Sequence, residues 1–395
     1  MRLSRTLTAT VVTALALLLT ACEGDYPQSS IDPRSDFAQT IHTLYVDIFW
    51  WTMGILAVVW IAMAYILIRF RDRPDAPEPK PVHGHLGLEI AWTIVPALIV
   101  VAIAIPTIQA VFSTQQGDPE EAMVVDVIGH QYWWEFRYPD HGVTTANELH
   151  LPSGRPISLR IWSADVMHSF WVPMLGGKRD ANPLRLRPEG VDQKYNWIHL
   201  TADEAGIFWG QCAEFCGASH ALMGMRVVVH DDSGFQQWIS DWKGEPVPAA
   251  PADAAAVASA DAEASLVRPA ALQIEAGAEA ASVPQEPALA AADPLVERGR
   301  EVFHSNTCIA CHAINGTNAQ GAIAPNLTLF GRRVSLGAGW LENNPDNLRR
   351  WITAPHEVKP GVLMPGVAQA GGNWPATNLT EDQVEAVAAY LLSLK

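Results

Sequence analysis

Two apolar stretches dominate the first third of the chain. Residues 48–68 and 90–108 contain no Asp, Glu, Lys or Arg. Each stretch matches the roughly 20 residues that a helix needs to cross a bilayer. Buried core helices are the alternative, but charge-free runs of this length are typical of membrane spans. Pro96 and Pro106 are tolerated in a membrane helix that packs against neighbours. The pattern predicts a two-helix transmembrane hairpin.

The distribution of basic residues predicts how this hairpin is oriented. The loop between the two spans carries Arg69, Arg71, Arg73 and Lys80, whereas residues 22–47 contain only Arg34. Cytoplasmic loops are enriched in Lys and Arg. We therefore expect the loop in the cytoplasm, and both termini on the outer face of a bacterial cytoplasmic membrane.

The N-terminus has the pattern of a lipoprotein signal peptide. Arg2 and Arg5 precede an apolar run, and Leu19-Thr20-Ala21-Cys22 forms a lipobox. We predict that residues 1–21 are removed and that Cys22 is lipidated. A short membrane span with an incidental cysteine is the alternative, but the apolar run is short for a span. Residues 22–112 then form an N-terminal segment and the hairpin.

Residues 113–244 have the pattern of an all-β domain. Ile157–Ile161 and Met225–Val229 alternate partly between apolar and polar residues, and Pro and Gly separate such segments. Short strands of this kind predict a sandwich or barrel. Residues 245–292 are rich in Ala, Pro and acidic residues and contain no aromatic residue. They predict a disordered linker, because the prolines interrupt the alternative, a helical spacer.

Residues 293–395 have the pattern of a helical domain. Asp293-Pro294 predicts an N-cap followed by proline at the first helical position. Thr380 and Gln383 have the spacing of a capping box before an apolar helix. These local signals predict an all-α domain at the C-terminus.

Charge and cysteine content narrow the possible functions. The 395-residue chain has a net charge of −16, which argues against a nucleic-acid-binding protein. Its five cysteines all fall in recognisable chemical motifs, so they do not form a disulfide framework. One is Cys22, and the other four belong to two cofactor motifs.

The first motif offers several soft metal ligands on one loop. It runs from Cys212 through Cys216 and His220 to Met223, and His168 lies upstream. Two Cys and two His suit structural zinc, but a thioether ligand favours copper. One Cys with two His and a Met would describe a mononuclear blue copper site, whereas a second Cys allows two thiolates to bridge two coppers. A redox-active disulfide is the remaining alternative.

The second motif, Cys308-Ile309-Ala310-Cys311-His312, is the attachment sequence of a c-type haem. The two thiols form thioether bonds, and His312 supplies one axial ligand. Met364, followed by Pro365, is the only methionine after Met225 and is predicted as the second axial ligand; His356 is the alternative. Ligation by Met raises the reduction potential.

The hairpin, the β domain and the loop around Cys212 resemble subunit II of cytochrome c oxidase. The resemblance implies a cupredoxin-like Greek-key barrel with a binuclear copper centre, CuA. It also implies a Mg site, shared with subunit I, that the Glu214 side chain faces. The implied CuA ligands are His168, Cys212, the backbone carbonyl of Glu214, Cys216, His220 and Met223.

Two further sites follow from this resemblance. The stretch His130–Trp134 matches the aromatic segment where electrons enter the family's CuA domain, which implies this role for Tyr132, Trp133 and Trp134. Ordinary core packing is the alternative. Residues 89–96 resemble the start of the family's second membrane helix, which implies that Glu89 lies at the mouth of a proton channel into subunit I. A solvated helix flank is the alternative.

A cytochrome c domain fused behind a CuA domain is similar to subunit II of caa-type oxidases. This implies that an external donor, such as a cytochrome c or a cytochrome bc complex, reduces covalent haem c, and that electrons pass through CuA to haem a of subunit I. Subunit I, with haem a, haem a3 and CuB, reduces oxygen to water, coupled to proton translocation. Subunit III and membrane lipid are further implied partners.

Three other functions are disfavoured by the sequence. Nitrous oxide reductase also uses CuA but needs a large propeller domain, for which the chain has no room. A free electron shuttle or copper-delivery protein needs neither the hairpin nor Glu89. Subunit II of quinol oxidases shares the fold but lacks the copper ligands.

Overall fold

The computed structural model describes residue 13 and residues 26–71, 83–117, 120–183, 195–244 and 293–395. Several predicted features lie outside these residues. They are the signal peptide apart from Thr13, the lipidation site Cys22, the basic residues Arg73 and Lys80, and the linker 245–292.

The two apolar stretches form long helices. Helix α1 spans Asp36–Arg69 and helix α2 spans Leu86–Ser113, so both extend beyond the predicted runs. Both are long and apolar enough to cross a membrane. Pro96 and Pro106 lie inside α2. The predicted pair of apolar helices is confirmed.

The start of α1 is fixed to the β domain by buried contacts. Ser35 caps the helix by accepting a hydrogen bond from Ala38 N at 3.1 Å, and its hydroxyl donates to Leu175 O at 2.8 Å. The buried Phe37 packs on Gly176, where an added Cβ would lie 2.1 Å from the Phe37 ring. These contacts attach the hairpin to the β domain at the helix N-terminus.

The β domain consists of two five-stranded sheets. One sheet has the strand order β3-β2-β1-β5-β8, and the other has the order β4-β10-β9-β6-β7. The β1–β5 and β4–β10 pairs are parallel, and all other pairs are antiparallel. The strands are β1 (Met123–His130), β2 (Trp133–Tyr138), β3 (Val143–Ala146), β4 (Glu148–Pro152), β5 (Pro156–Ser163), β6 (His168–Trp171), β7 (Arg179–Ala181), β8 (Asn196–Thr201), β9 (Gly206–Cys212) and β10 (Gly224–His230).

Side chains from both sheets form one hydrophobic core, which confirms the predicted all-β domain. The two segments with alternating pattern lie within β5 and β10. Helix α3 (Asp232–Lys243) follows β10 and adds Phe235, Trp238 and Trp242 to the same core.

The C-terminal domain is built mainly of helices around a second core. Its helices are α4 (Pro294–Ser305), α5 (Cys308–Cys311), α6 (Pro345–Thr353), α7 (Pro355–Val358) and α8 (Glu381–Ser393). Asp293 caps α4, and Thr380 with Gln383 forms a capping box at α8, as predicted.

One feature of this domain was not predicted. Strands β11 (Ser335–Leu336) and β12 (Leu341–Glu342) form a short hairpin. Its turn contains Gly337, Ala338 and Gly339, all with φ between 64° and 74°. Two-residue strands are too short to produce an alternating pattern, so the sequence carries no signal for them.

The unpredicted hairpin packs on the β domain. Gly224 N at the start of β10 donates to Ala338 O at 2.9 Å, and Arg226 Nη2 donates to Gly339 O at 2.9 Å. The Arg226 guanidinium also stacks on the Trp209 ring, 3.6 Å from the ring centre. The turn of the hairpin is therefore hydrogen-bonded to the start of β10.

A buried carboxylate completes this contact between the domains. Glu148 in β4 is 3% exposed and accepts hydrogen bonds from Val334 N at 2.9 Å and Ser335 N at 3.2 Å. Burial raises the pKa of Glu148, although the nearby Arg333 guanidinium opposes this shift. The two domains are thus docked through buried polar groups.

Candidate metal and haem sites

The first motif occupies the loop that joins β9 to β10. Cys212 is the last residue of β9, and Met223 directly precedes β10. Cys212 N donates to Met223 O at 2.8 Å, which closes the base of the loop. His168, the first residue of β6, is fully buried beside it.

All six predicted copper ligands meet at this loop. The distances from Cys212 Sγ are 3.9 Å to Cys216 Sγ, 3.8 Å to His168 Nδ1 and 3.2 Å to Glu214 O. Those from Cys216 Sγ are 3.8 Å to His220 Nδ1 and 3.9 Å to Met223 Sδ. Each thiol therefore has one imidazole and one further donor of its own. Six donors exceed the four of a structural zinc site, and their number and softness suit a pair of coppers.

The two thiols and His168 influence one another's protonation. The hydrogen bond between the two thiols lowers the pKa of Cys212 and raises that of Cys216. Burial disfavours a charged His168, but the hydrogen bond to Asp165 and the adjacent Cys212 outweigh burial and raise its pKa.

Asp165 is a positioning residue that the sequence analysis missed. Its Oδ1 lies 2.8 Å from His168 Nε2 and so directs Nδ1 towards the thiols. A carboxylate that holds the far nitrogen of a ligating imidazole is common at metal sites. Its position three residues before His168 was the only available signal.

The three predicted aromatic residues have different surroundings. Trp134 is fully buried, and its ring contacts His168 with ring centres 5.8 Å apart. Trp133 stacks on His130 at 4.2 Å. The Tyr132 hydroxyl accepts a hydrogen bond from Ala218 N of the copper loop at 3.0 Å. Tyr132 and Trp133 also line the cavity of the C-terminal domain, whereas Trp134 does not.

That cavity has a volume of about 470 Å³ and contains the second motif. Cys308, Cys311, His312 and Met364 all line it, whereas the alternative ligand His356 is not among its lining residues. The volume falls within the range of cofactor pockets.

The second motif is arranged to ligate a haem iron. His312 Nδ1 lies 2.7 Å from Pro325 O, so this nitrogen donates its proton to the carbonyl and Nε2 is left for a metal. Burial lowers the pKa of His312, which keeps the imidazole neutral. Burial also raises the pKa of Cys308 to about 11. The thiols, the neutral imidazole and the thioether fit a covalently bound haem.

The Met364 loop touches the copper loop directly. The Ser219 hydroxyl donates to Pro360 O. At Gly361, where φ is 80°, an added Cβ would lie 3.3 Å from Ala218 Cβ and 3.5 Å from the Tyr132 ring. Glycine allows both the left-handed conformation and this close approach.

Lys359 begins the Met364 loop and was also missed by the sequence analysis. It is 2% exposed, and its Nζ donates to Tyr132 O at 2.5 Å and to Gly337 O at 3.0 Å. Burial lowers the pKa of Lys359 to about 7. A single Lys next to Pro360 carries no signal of burial, because lysines are almost always exposed.

The side chains of Glu89 and Glu214 do not line the haem cavity. Glu89 is exposed in the first turn of α2, at the same end of the hairpin as Arg69. Glu214 is half-buried in the copper loop, and its neighbour Phe215 is 75% exposed.

Comparison with known proteins identifies the family of the chain. Three family profiles match: cytochrome c oxidase subunit II, transmembrane domain, over residues 28–110; its periplasmic domain, over residues 142–230; and cytochrome c, over residues 296–395. Cytochrome c oxidase subunit 2 of Alkalihalophilus pseudofirmus is 33% identical over 389 residues, which cover 96% of this chain and 95% of that protein. The chain belongs to the cytochrome c oxidase subunit II family.

Two further proteins match shorter parts of the chain. Cytochrome c oxidase subunit 2 of Bacillus sp. (strain PS3) is 32% identical, with 83% of this chain and 80% of that protein covered. A crystal structure of the periplasmic domain of subunit II from Bradyrhizobium japonicum is 29% identical and covers 31% of this chain and 94% of that one, with a TM-score of 0.28.

Membership of this family fixes several properties of the chain. It is a membrane-anchored subunit of a haem–copper oxidase, an oxidoreductase complex that implies a partner subunit I. Its periplasmic and cytochrome c domains imply copper and haem binding. The predicted fusion of the two domains is confirmed.

Proposed function

We propose that this subunit II receives electrons from an external donor and delivers them to subunit I. The C-terminal domain accepts the electrons, and the copper loop passes them to haem a of subunit I, where oxygen is reduced to water and protons are translocated. Haem c and CuA, when bound, supply one-electron storage at the two sites.

One observation carries this proposal: the haem cavity is shared by the two domains. Gln131, Tyr132, Trp133 and Asn147 of the β domain line it together with the haem motif. The Tyr132 ring lies between Gly361 of the Met364 loop and Gly217 of the copper loop. A Cβ added at Gly217 would lie 2.6 Å from the Tyr132 hydroxyl. A single aromatic side chain thus contacts both ligand loops.

Each cofactor is assigned to the donors that surround it. We assign binuclear CuA to the six donors of the copper loop and His168. We assign haem c to thioether bonds with Cys308 and Cys311, with His312 and Met364 as axial ligands. Among the aromatic residues, we assign Tyr132 and Trp133 to the electron path between the two sites, and Trp134 to the support of His168.

The resemblance to subunit II also suggests how the subunit contacts the rest of the complex. We assign the Glu214 side chain to a Mg site shared with subunit I, beside the exposed Phe215. We assign Glu89 to the mouth of a proton channel at the cytoplasmic end of the hairpin. The donor, a cytochrome c or a cytochrome bc complex, then acts outside the bacterial cytoplasmic membrane, and subunit III and lipid, including a lipid on Cys22, complete the assembly.

Purification of the chain from membranes tests this proposal. The preparation should contain subunit I and show haem a, a covalent c-type haem and the near-infrared absorption of CuA. Two coppers and one haem c per chain are expected. A preparation that lacks haem a, or whose copper motif retains zinc, would contradict the proposed function.

A further inference from the structure

Lys359 is the one lysine among the described residues that is buried, and it lies at the boundary of the two domains. Its Nζ donates to Gly337 O within its own domain and to Tyr132 O in the β domain. It also lines the haem cavity. No described carboxylate pairs with it.

Burying an amine without a carboxylate partner costs free energy, so the hydrogen bonds that Lys359 makes must offset this cost. Both are with backbone carbonyls, and one of them belongs to the segment that separates the two cofactor sites. A merely structural contact would not need a cationic side chain here, because a neutral residue could fill the same space at lower cost.

The Tyr132 segment is held from two sides. On the copper side, Ala218 N donates to the Tyr132 hydroxyl at 3.0 Å, and Gln131 Nε2 donates to Cys216 O at 2.5 Å. On the haem side, Lys359 Nζ is the side chain that binds the Tyr132 carbonyl. Loss of Lys359 would release the segment from the haem domain while its copper-side contacts remain.

The position of the amine also gives it an electrostatic effect. A cation in the wall of a poorly solvated cavity favours the reduced form of a haem, which carries one positive charge fewer than the oxidised form. The other charged or titratable groups of the described structure that line this cavity are Tyr132, Cys308, Cys311, His312 and Arg333.

We propose that Lys359 is a positioning residue for electron transfer: it fixes the Tyr132 segment against the haem domain, and its charge raises the reduction potential of haem c. This inference rests on the proposed function, since it assigns a residue to the step between the two cofactors. It adds to that function a residue that is neither a cofactor ligand nor an aromatic side chain.

Three substitutions separate the contact from the charge. Lys359→Met removes both, Lys359→Gln keeps a hydrogen-bond donor without the charge, and Lys359→Arg keeps both. Lys395→Met is the matched control, because it removes one exposed cation from the same domain. The variants are made in the intact oxidase, and their haem and copper absorption verifies that both sites are assembled.

Two readouts other than turnover test the proposal. Redox titration of haem c is performed at pH 6, where the amine is charged. The reduction potential should fall in Lys359→Met and Lys359→Gln, and stay at the parent value in Lys359→Arg and Lys395→Met. Amide hydrogen exchange at residues 131–134 and 335–339 should accelerate in Lys359→Met alone, because only this variant lacks a donor to the Tyr132 carbonyl.

The potentials and exchange rates of the variants decide whether Lys359 has the proposed role. If Lys359→Met has the parent potential and the parent exchange rates, the proposal is wrong. If Lys359→Arg fails to assemble, Lys359→Gln against Lys359→Met still separates charge from contact. If the parent chain itself shows no electron transfer from haem c to copper, the proposed function fails, whereas the exchange measurement still decides whether Lys359 holds the domains together.

Discussion

At the scale of single residues, the copper loop shows how local sequence assembles a site. Cys212, Cys216, His220 and Met223 lie within twelve residues, so the loop alone brings four side-chain donors and the Glu214 carbonyl together, and only His168 comes from a distant strand. This is why the ligand set could be predicted from the sequence. Asp165 could not be, because a carboxylate three residues from a histidine is common in proteins without metal sites.

The two thiols lead to a direct prediction about stoichiometry. Cys216→Ser removes one of the two sulfurs that face each other 3.9 Å apart. We expect the copper content to fall from two per chain to one or none, and the visible bands of the bridged pair to disappear. Metal analysis after copper loading measures this, with Ser233→Ala as a control on the exposed surface of α3. Retention of two coppers would contradict a binuclear site bridged by both thiols.

Glu89 provides a second test at this scale. Its carboxylate can bind and release protons, whereas an amide of the same shape cannot. Glu89→Gln should slow steady-state turnover and leave the copper and haem c spectra unchanged. Glu121→Gln is the matched control, since Glu121 is an exposed carboxylate beyond the other end of α2. Turnover equal to that of the parent across the pH range would make Glu89 an ordinary solvated residue.

At the scale of elements, local signals predicted the helices well and the contacts between them poorly. The caps at Asp293 and Thr380 depend only on neighbouring residues, and both were predicted correctly. The β11–β12 hairpin and the buried Glu148 depend on docking between residues more than 110 positions apart in the sequence. No pattern in a single sequence encodes such pairs, because the sequence around one residue does not identify its distant partner.

The crossing of α4 and α8 yields a stability prediction. At Gly299, an added Cβ would lie 1.9 Å from Ala386 O, on the backbone of the opposite helix. Overpacking of this kind typically costs about 1–3 kcal/mol, and backbone cannot move aside easily. Gly299→Ala should therefore lower the unfolding temperature of the haem domain, followed by haem absorption.

Glu301→Ala on the exposed face of α4 is the control for this substitution, because it changes the same helix without approaching α8. Its unfolding temperature should differ little from that of the parent. A Gly299→Ala variant as stable as the parent would show that the two helices can separate without loss of packing.

At the scale of the whole molecule, the β domain and the haem domain are docked. The segment 113–244 contains 17 acidic and 10 basic residues, whereas the segment 293–395 contains 9 and 8. The haem domain is thus nearly neutral, and the contacts at Glu148, Arg226 and Lys359 are buried. Salt screens exposed charges far more than buried ones. We therefore expect salt to have only a modest effect on docking.

The most direct test of the account is electron transfer within one chain. In the purified oxidase, haem c is reduced by a flash, and the copper absorption is followed with time. We predict a first-order rate that is independent of protein concentration and changes little with ionic strength. A rate proportional to protein concentration, or one that falls steeply with added salt, would contradict the docked arrangement and the role of the shared cavity.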